Sequence, residues 1–251
     1  MSDANAGPLE GRVIAIAGAT GGLGPSVARA CAAAGATIAL ADRDAGKLDE
    51  LVADLELPQY RVDSHVVDLL DEEATRAWCA ALVARFGSVS GVAHLVGGWR
   101  GGEPLETAPL EDWAFLHDLL VRTVQHTSRA FSASLLASGH GRFVLVSSKQ
   151  AQAPTHTNAA YAAAKAAAEA WTLALADGFA TATAEGSGKA TANVVVVDAI
   201  ATPAMREGKG EDAFRTFTDA EDLASAICGV CGDGASAMNG QRVQLHGGSR
   251  R

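Results

Sequence analysis

Residues 12–30 read RVIAIAGATGGLGPSVARA, and this stretch decides how the chain folds. The apolar run at 12–18 is typical of a short buried strand, and residues 22–34 are typical of a helix. Between them, glycines at 18, 22 and 24 form a turn. Glycines let a phosphate approach backbone N–H groups at the positive end of a helix dipole. The stretch predicts a strand, a phosphate-binding turn and a helix, with a purely structural turn as the alternative.

The alternation of strand and helix patterns continues along the chain. Further apolar strand-like runs lie at 36–42, 60–68, 91–98, 141–148, 192–199 and 240–248. Helical patterns lie between them at 44–56, 71–87, 111–137, 158–184 and 219–228. Such an alternation indicates a parallel sheet with helices on both faces. We predict an α/β protein with a flexible tail at 1–11 and one doubly wound Rossmann domain at 12–251, built on a mostly parallel seven-stranded sheet.

Composition limits the classes of function. The chain has 251 residues, 48% of them hydrophobic, and a net charge of −9. This acidic charge argues against nucleic acid or an anionic membrane as a partner. The polar start, MSDANAGPLEGR, lacks the apolar core of a signal peptide, and no apolar run is long enough to span a bilayer. Four cysteines without framework spacing suggest a reducing compartment, so we expect a cytoplasmic protein.

A metal or redox site is not expected. Cys228 and Cys231 form a C-x-x-C, but the pair closes a helical stretch, whereas a redox pair usually opens one. A zinc site would need a second pair, and Cys31 and Cys79 are isolated. The seven histidines are scattered without H-E-x-x-H spacing. We therefore interpret the cysteine pair as structural and predict no metal.

Asp42 strengthens the dinucleotide interpretation of the glycine turn. It lies 18 residues beyond Gly24, at the end of the second predicted strand, where a carboxylate can bind the ribose hydroxyls of adenosine. A carboxylate there would repel a 2′-phosphate and favour NAD, whereas the neighbouring Arg43 could bind that phosphate. Asp68, at the end of the third strand, could meet the adenine edge or cap the strand.

The segment YAAAKAAAEAW, residues 161–171, places a phenol and an ammonium on one helix face. Tyr161 and Lys165 are four residues apart, a spacing that brings side chains together on a helix. Alanine is the best helix former, so the segment could also be plain helical filler. The segment alone leaves both interpretations open.

The chain as a whole resembles the short-chain dehydrogenase/reductase family, from Arg12 to Gly248. The family's T-G-x-x-x-G-x-G turn corresponds to residues 17–24, and its Y-x-x-x-K motif to Tyr161 and Lys165. Its catalytic serine, 13 residues before the tyrosine, corresponds to Ser148. The resemblance implies catalytic roles for these three side chains. Position and resemblance together predict a cofactor site formed by Gly18, Thr20, Gly22, Leu23, Gly24, Asp42, Arg43, Asp68, Leu69, Val96, Gly97, Tyr161, Lys165, Ile200 and Thr202.

The residue types suit hydride transfer between a nicotinamide and a carbonyl or secondary alcohol. A free phenol has a pKa near 10, and a neighbouring ammonium lowers the pKa of an acid by roughly 1–3 units. Lys165 would thus tune Tyr161 as the proton donor or acceptor, and by resemblance it would also bind the nicotinamide ribose. Ser148 would donate a hydrogen bond to the carbonyl oxygen, although a strand-end hydroxyl can also satisfy the backbone.

Three departures from the family pattern stand out. The family's N-N-A-G is His94-Leu95-Val96-Gly97 here, and we expect His94 to be a core histidine. The family's helix asparagine, which supports a water relay, aligns with Leu120 when Trp113 and Arg129 set the register. Asp198 stands where the family has a glycine after the sixth strand. It could favour the positively charged NAD⁺ or cap the strand, and we favour the cap.

Residues 204–218 are expected to form a short substrate lid. Apolar contacts would come from Met205, Phe214 and Phe217, and an anionic group could meet Arg206, Lys209 or Arg215. Charges on such a segment can equally be solvated. The segment 97–104 is expected to bring Trp99 and Arg100 toward the same cleft.

The leading hypothesis is an oxidoreductase that acts on a small carbonyl or alcohol substrate, with NAD(H) favoured over NADP(H). Relatives that prefer the phosphate commonly carry a basic residue where this chain has Gly21. The rival is a dinucleotide-binding sensor or structural partner without turnover, and a nucleic-acid binder is disfavoured by the charge. The resemblance implies a homo-oligomer, a tetramer or dimer, paired through the helices that hold Leu120 and Tyr161.

Overall fold

The computed structural model describes residues 7–207 and 211–247. Seven parallel strands form one sheet in the order β3-β2-β1-β4-β5-β6-β9. Their bounds are β1 Val13–Ala17, β2 Thr37–Asp42, β3 Val62–Val66, β4 Gly91–His94, β5 Gly141–Ser148, β6 Ala190–Val197 and β9 Arg242–Gln244. A separate parallel pair consists of β7 Ile200–Ala201 and β8 Thr218–Asp219. The predicted doubly wound α/β fold is confirmed.

Eight α-helices accompany the sheet among the described residues. They are α1 Gly24–Ala33, α2 Ala45–Asp54, α3 Glu72–Phe86, α4 Leu110–His117, α5 Thr123–Ala137, α6 Ala159–Ala184, α7 Pro203–Arg206 and α8 Ala220–Cys231. One apolar core joins the sheet to α1, α2 and α8. A second core joins its other face to α3, α5 and α6. The sheet is therefore covered on both sides, which explains why its central strands β1, β4, β5 and β6 are buried over their whole length.

Three predicted boundaries need correction. The tail expected at 1–11 is too long, because Leu9 is fully buried and its N–H donates to the Ala34 carbonyl at 2.8 Å. The fourth strand ends at His94 instead of residue 98, since the chain leaves the sheet there to line a cleft. The single helix expected at 111–137 is divided by a π-helical turn, Asp118–Arg122, between α4 and α5.

The cysteines lie in the core and not in a redox motif. All four are free thiols, and Cys31, Cys228 and Cys231 belong to the core between α1 and α8. Burial raises the pKa of Cys231 to about 12, which keeps that thiol protonated. This arrangement agrees with the structural interpretation of the C-x-x-C pair. Within the described ranges, no helix has the length and apolar character needed to cross a bilayer.

Candidate active site

The glycine turn between β1 and α1 packs closely against its neighbours and lines a cleft. Gly18 has a φ of +81°, and a Cβ there would lie 2.9 Å from the Val96 backbone nitrogen. A Cβ on Gly22 would lie 2.8 Å from Thr202 Cγ2, and one on Gly24 would collide with the Ala19 carbonyl oxygen. The turn opens at the N-terminus of α1, where Pro25 occupies the first turn. Backbone N–H groups and the helix dipole there suit a phosphate.

Asp42 and Asp68 lie at the ends of neighbouring strands beside this turn. Asp42 Oδ2 accepts the Thr20 N–H at 3.0 Å, and its Oδ1 accepts the Arg43 N–H at 2.7 Å. The carboxylate is thus fixed to the turn while it lines the cleft. Asp68 Oδ1 accepts the Leu70 N–H at 3.0 Å and also lines the cleft. Asp68 therefore caps its strand end and stays available to a ligand.

One cleft of about 910 Å³ crosses the carboxyl ends of the strands. This volume lies in the range of pockets for cofactors and other small molecules. The cleft is lined by every residue predicted for the cofactor site except Gly24, and by Ser148. Gly24 belongs to the packing of α1 against the turn instead. Residues 42 and 161, the two ends of the predicted site, thus lie on one continuous cavity.

Ser148 and Tyr161 meet at the middle of the cleft. Ser148 is the last residue of β5, and Tyr161 lies in the first turn of α6. Both side chains line the cleft, and the Ser148 hydroxyl accepts the Gln150 N–H at 3.3 Å. Burial raises the pKa of Tyr161, and the nearby Ser148 hydroxyl opposes that rise. The serine hydroxyl is therefore positioned to stabilise charge on or near the phenol oxygen.

Lys165 lies one helical turn below Tyr161. Its Nζ donates to the Val146 carbonyl at 3.0 Å and lies 5.9 Å from the centre of the Tyr161 ring. Burial lowers the pKa of Lys165 to about 8. The expected lowering of the Tyr161 pKa by Lys165 is not seen in this structure, because burial of the phenol is the larger effect and the ammonium is directed at Val146.

His94 is a core histidine, as its position in the strand suggested. It is fully buried, and burial together with the positive Lys165 lowers its pKa to about 3. Its Nε2 lies 3.2 Å from Thr123 Oγ1, which itself donates to the Leu119 carbonyl at 2.7 Å. Since the threonine proton is used at Leu119, the histidine Nε2–H is the donor of the first bond. The imidazole thus stays neutral and anchors the helix to the sheet.

Leu120 lies in the π-helical turn and not in the cleft. It is buried in a small apolar cluster with Leu116, Val121 and Ala164. Leu119 and Thr123 line the cleft instead, one residue before and three residues after it. The π-helical turn therefore decides which neighbours of Leu120 face the site.

Asp198 forms an ion pair across the cleft wall. Its Oδ2 lies 2.6 Å from Lys149 Nζ, and both side chains are about one-third exposed. Asp198 also lines the cleft. The favoured interpretation, a strand cap, is wrong, because the carboxylate is used by the lysine that follows Ser148.

The expected substrate lid is only partly seen. Met205 and Phe217 line the cleft, whereas Phe214 is buried against Phe217. Arg206 forms an ion pair with Asp219 at 3.0 Å and is not directed at a ligand. Lys209 lies outside the described residues.

The loop after β4 contributes one aromatic side chain to the cleft. Trp99 lines its mouth and is 57% exposed, which leaves its indole face available to a bound molecule. Arg100 does not reach the cleft as expected. It lies over the Phe115 ring at 3.7 Å and pairs with Asp112 at 3.1 Å.

Several lining residues were not predicted from the sequence. Leu119, Thr123, Gln150 and Lys47 belong to this group. Lys47 and Gln150 follow closely after the predicted site residues Arg43 and Ser148, so the sequence could have indicated that they lie near the cleft. No comparable signal marks Thr123, because its orientation depends on the π-helical turn. Within the part of the chain that the structure describes, no group of three histidine, cysteine or carboxylate side chains could hold a metal.

The fold and this site define a dinucleotide-binding domain of the dehydrogenase type. Over residues 12–213 the chain matches the family described as short chain dehydrogenase. The match covers most of the chain, which therefore belongs to the short-chain dehydrogenase/reductase family. The family uses NAD or NADP as its cofactor.

Individual relatives are distant. The chain is 30% identical to 2,3-dihydro-2,3-dihydroxybenzoate dehydrogenase of Bacillus subtilis (strain 168) over 161 residues, 64% of this chain and 61% of the relative. It is 26% identical to D-threitol dehydrogenase of Mycolicibacterium smegmatis over 252 residues, 96% of this chain and 93% of the relative. The matches to the first three curated relatives span 52% to 62% of their own lengths.

A solved structure agrees over nearly the whole chain. A short chain dehydrogenase from Burkholderia cenocepacia J2315 in complex with NADP superposes with a TM-score of 0.82 at 28% identity. The alignment covers 97% of this chain and 100% of that structure. The architecture described above is therefore that of the family.

Proposed function

We propose that this protein is an oxidoreductase that transfers a hydride between a nicotinamide cofactor and a carbonyl or secondary alcohol, with Tyr161 as the proton donor and acceptor. The observation that carries the proposal is that Ser148, Tyr161 and Lys165 line the same cleft as the glycine turn, with Lys165 one helical turn below Tyr161. A dinucleotide sensor would need the cleft but not the converging hydroxyls.

The residues present fit a dinucleotide. The glycine turn and the start of α1 would hold its phosphates. The Asp42 carboxylate would accept hydrogen bonds from the adenosine ribose hydroxyls. We propose NAD(H) as the preferred cofactor, because Asp42 would repel a 2′-phosphate and position 21 carries no cation. Arg43 and Lys47 also line this end of the cleft, and their charges would reduce the preference without reversing it.

When bound, the nicotinamide supplies the carbon that gives or accepts the hydride. In the reducing direction, the Tyr161 hydroxyl donates a proton to the substrate oxygen as negative charge develops there. Ser148 donates a hydrogen bond to the same oxygen and stabilises that charge. Lys165 holds a positive charge close to the phenolate that remains. In the oxidising direction, Tyr161 accepts the proton.

The substrate that fits best is a small uncharged alcohol or ketone. Lys149 and Arg206 are paired with Asp198 and Asp219, so neither presents a free cation to an anionic substrate. Trp99, Leu119, Met205 and Phe217 supply apolar wall, while Gln150 and Asp198 supply polar groups. A hydroxylated substrate such as a short polyol suits this mixture, and one relative acts on D-threitol according to its name.

The test is an NADH titration followed by a panel of ketones, sugars, polyols and steroids. We expect energy transfer from Trp99 to NADH on binding, and turnover with at least one uncharged ketone or alcohol. Binding of NADH with no turnover across the panel would favour the sensor instead. Failure of both NADH and NADPH to bind would reject both functions.

A further inference from the structure

Glu169 is a buried carboxylate that the proposed chemistry leaves unexplained. It is 1% exposed, and among the described residues no other aspartate or glutamate is less than a tenth exposed. A carboxylate removed from water costs free energy unless a positive charge compensates it. Positive groups close to Glu169 must therefore compensate its charge.

The position of Glu169 on α6 links it to the active site. It follows Lys165 by four residues, and both side chains belong to the buried face of this helix, together with Thr172 and Ala176. Residues four apart on a helix are neighbours on its surface. Tyr161, Lys165 and Glu169 thus form a continuous row of three ionisable groups that leads from the cleft into the protein.

Glu169 is paired with Arg242, and among the described residues no direct ion pair joins it to Lys165, so it acts on Lys165 through space. Its Oε2 lies 2.6 Å from Arg242 Nε on β9 and 3.5 Å from Gln152 Nε2. Its Oε1 is buried without a hydrogen-bond partner in the described structure. The Arg242 side chain is 41% exposed, so water screens its charge more than that of Lys165, which is 6% exposed.

The surroundings of Lys165 offer little else to balance an ammonium. Within the described part of the chain, its one hydrogen bond is to the neutral Val146 carbonyl. From β4 it faces His94, which is uncharged, and on its own helix it faces Tyr161. The charges of Lys149 and Asp198, at the ends of β5 and β6, are already paired with each other. Burial lowers the pKa of Lys165 to about 8, and Glu169 is the negative group that opposes this.

We propose that Glu169 is a positioning residue that keeps the Lys165 ammonium charged beneath Tyr161. The proposal rests on the proposed function, since Lys165 acts there on Tyr161. Glu169 does not line the cleft. It acts through Lys165, and Arg242 stabilises the buried carboxylate from the opposite side.

The pH profile of ketone reduction tests this role. The active state has Tyr161 and Lys165 both protonated, so the rate falls at alkaline pH as this pair loses a proton. Glu169→Gln removes the negative charge, lowers the Lys165 pKa and moves the alkaline limb to lower pH by about one unit. Asp177→Asn, which removes an exposed carboxylate from the same helix, should leave the limb unchanged. Glu169→Asp should restore a limb close to that of the wild type.

Arg242→Gln separates charge from packing. If Glu169 acts electrostatically, removal of the Arg242 charge leaves the alkaline limb of the pH profile in place or moves it to higher pH. A purely structural role predicts that Glu169→Gln and Arg242→Gln lower kcat alike with an unmoved limb, and this result would overturn the proposal.

A second measurement needs no substrate. Glu169→Gln should lower the denaturation midpoint at pH 7. This decrease should become smaller as the pH rises to 9.5, because a neutral lysine needs no counterion. In a Lys165→Met background the loss should not depend on pH. A pH-independent loss in both backgrounds would also overturn the proposal. The proposed function has its own test: it is wrong if Tyr161→Phe retains wild-type turnover, independently of the residue at position 169.

Discussion

Lys149 Nζ lies 2.6 Å from Asp198 Oδ2 and joins the residue after Ser148 to the residue after β6. Both side chains are partly exposed, so the pair should contribute less than about 1 kcal/mol to stability. Its larger effect should be on charge near the nicotinamide end of the cleft.

We therefore predict that Lys149→Met, which leaves Asp198 unpaired, shifts the ratio of NAD⁺ to NADH affinity toward NAD⁺ by roughly 3- to 10-fold. Asp198→Asn should shift it in the opposite direction. Calorimetric titrations of both forms of the cofactor provide the measurement. Equal ratios in the wild type and both variants would show that the pair lies too far from the nicotinamide to matter.

The cofactor preference depends on Asp42. We predict that the wild type binds NADH more tightly than NADPH, and that Asp42→Ala weakens NADH binding while it reduces discrimination against NADPH. The matched control is Asp49→Ala, an exposed carboxylate on α2. Side-by-side titrations decide the question, and NADPH binding equal to or tighter than NADH binding in the wild type would refute the preference.

Leu120→Asn should destabilise the protein and should not improve catalysis. The leucine is 2% exposed in an apolar cluster, so an amide there would lack partners and leave poorly packed space. We expect a loss of about 3 kcal/mol in the free energy of unfolding, measured by denaturant titration. An asparagine variant of wild-type stability with a higher kcat would contradict the placement of this side chain.

The outer faces of α5 and α6 are the surface on which we expect copies of the chain to pair. Trp171 is 36% exposed there, with its indole N–H donating to Ser128 Oγ at 2.9 Å beside a shallow groove. Light scattering should give a multiple of the 25.6 kDa chain mass, twice or four times that value. Trp171→Arg should reduce it, whereas Tyr60→Arg, at an exposed position elsewhere, should not. A wild-type monomer at micromolar concentration would rule out this assembly.

Motifs that depend on local spacing could be predicted from the sequence. The glycine turn, Asp42 and the Ser148, Tyr161 and Lys165 set all lie on the expected cleft, because a parallel sheet brings the ends of its strands to one edge. The cytoplasmic location stays a prediction.

Features that depend on long-range contacts could not be predicted. The Lys149–Asp198 pair joins two strand ends that are 49 residues apart. Glu169 meets Arg242 across 73 residues, and nothing near either residue in the sequence announces the contact. The π-helical turn at Asp118–Arg122 changes which side chains face the cleft without a proline or glycine to mark it.

The central claim is that Tyr161 transfers the proton in an oxidoreductase reaction. The most direct measurement is the kcat of Tyr161→Phe, alongside its NADH dissociation constant, on a substrate found by the panel. Our account predicts that NADH binding stays nearly intact and that most turnover is lost, because the variant lacks only the hydroxyl that carries the transferable proton. A Tyr161→Phe enzyme with wild-type kcat would contradict it.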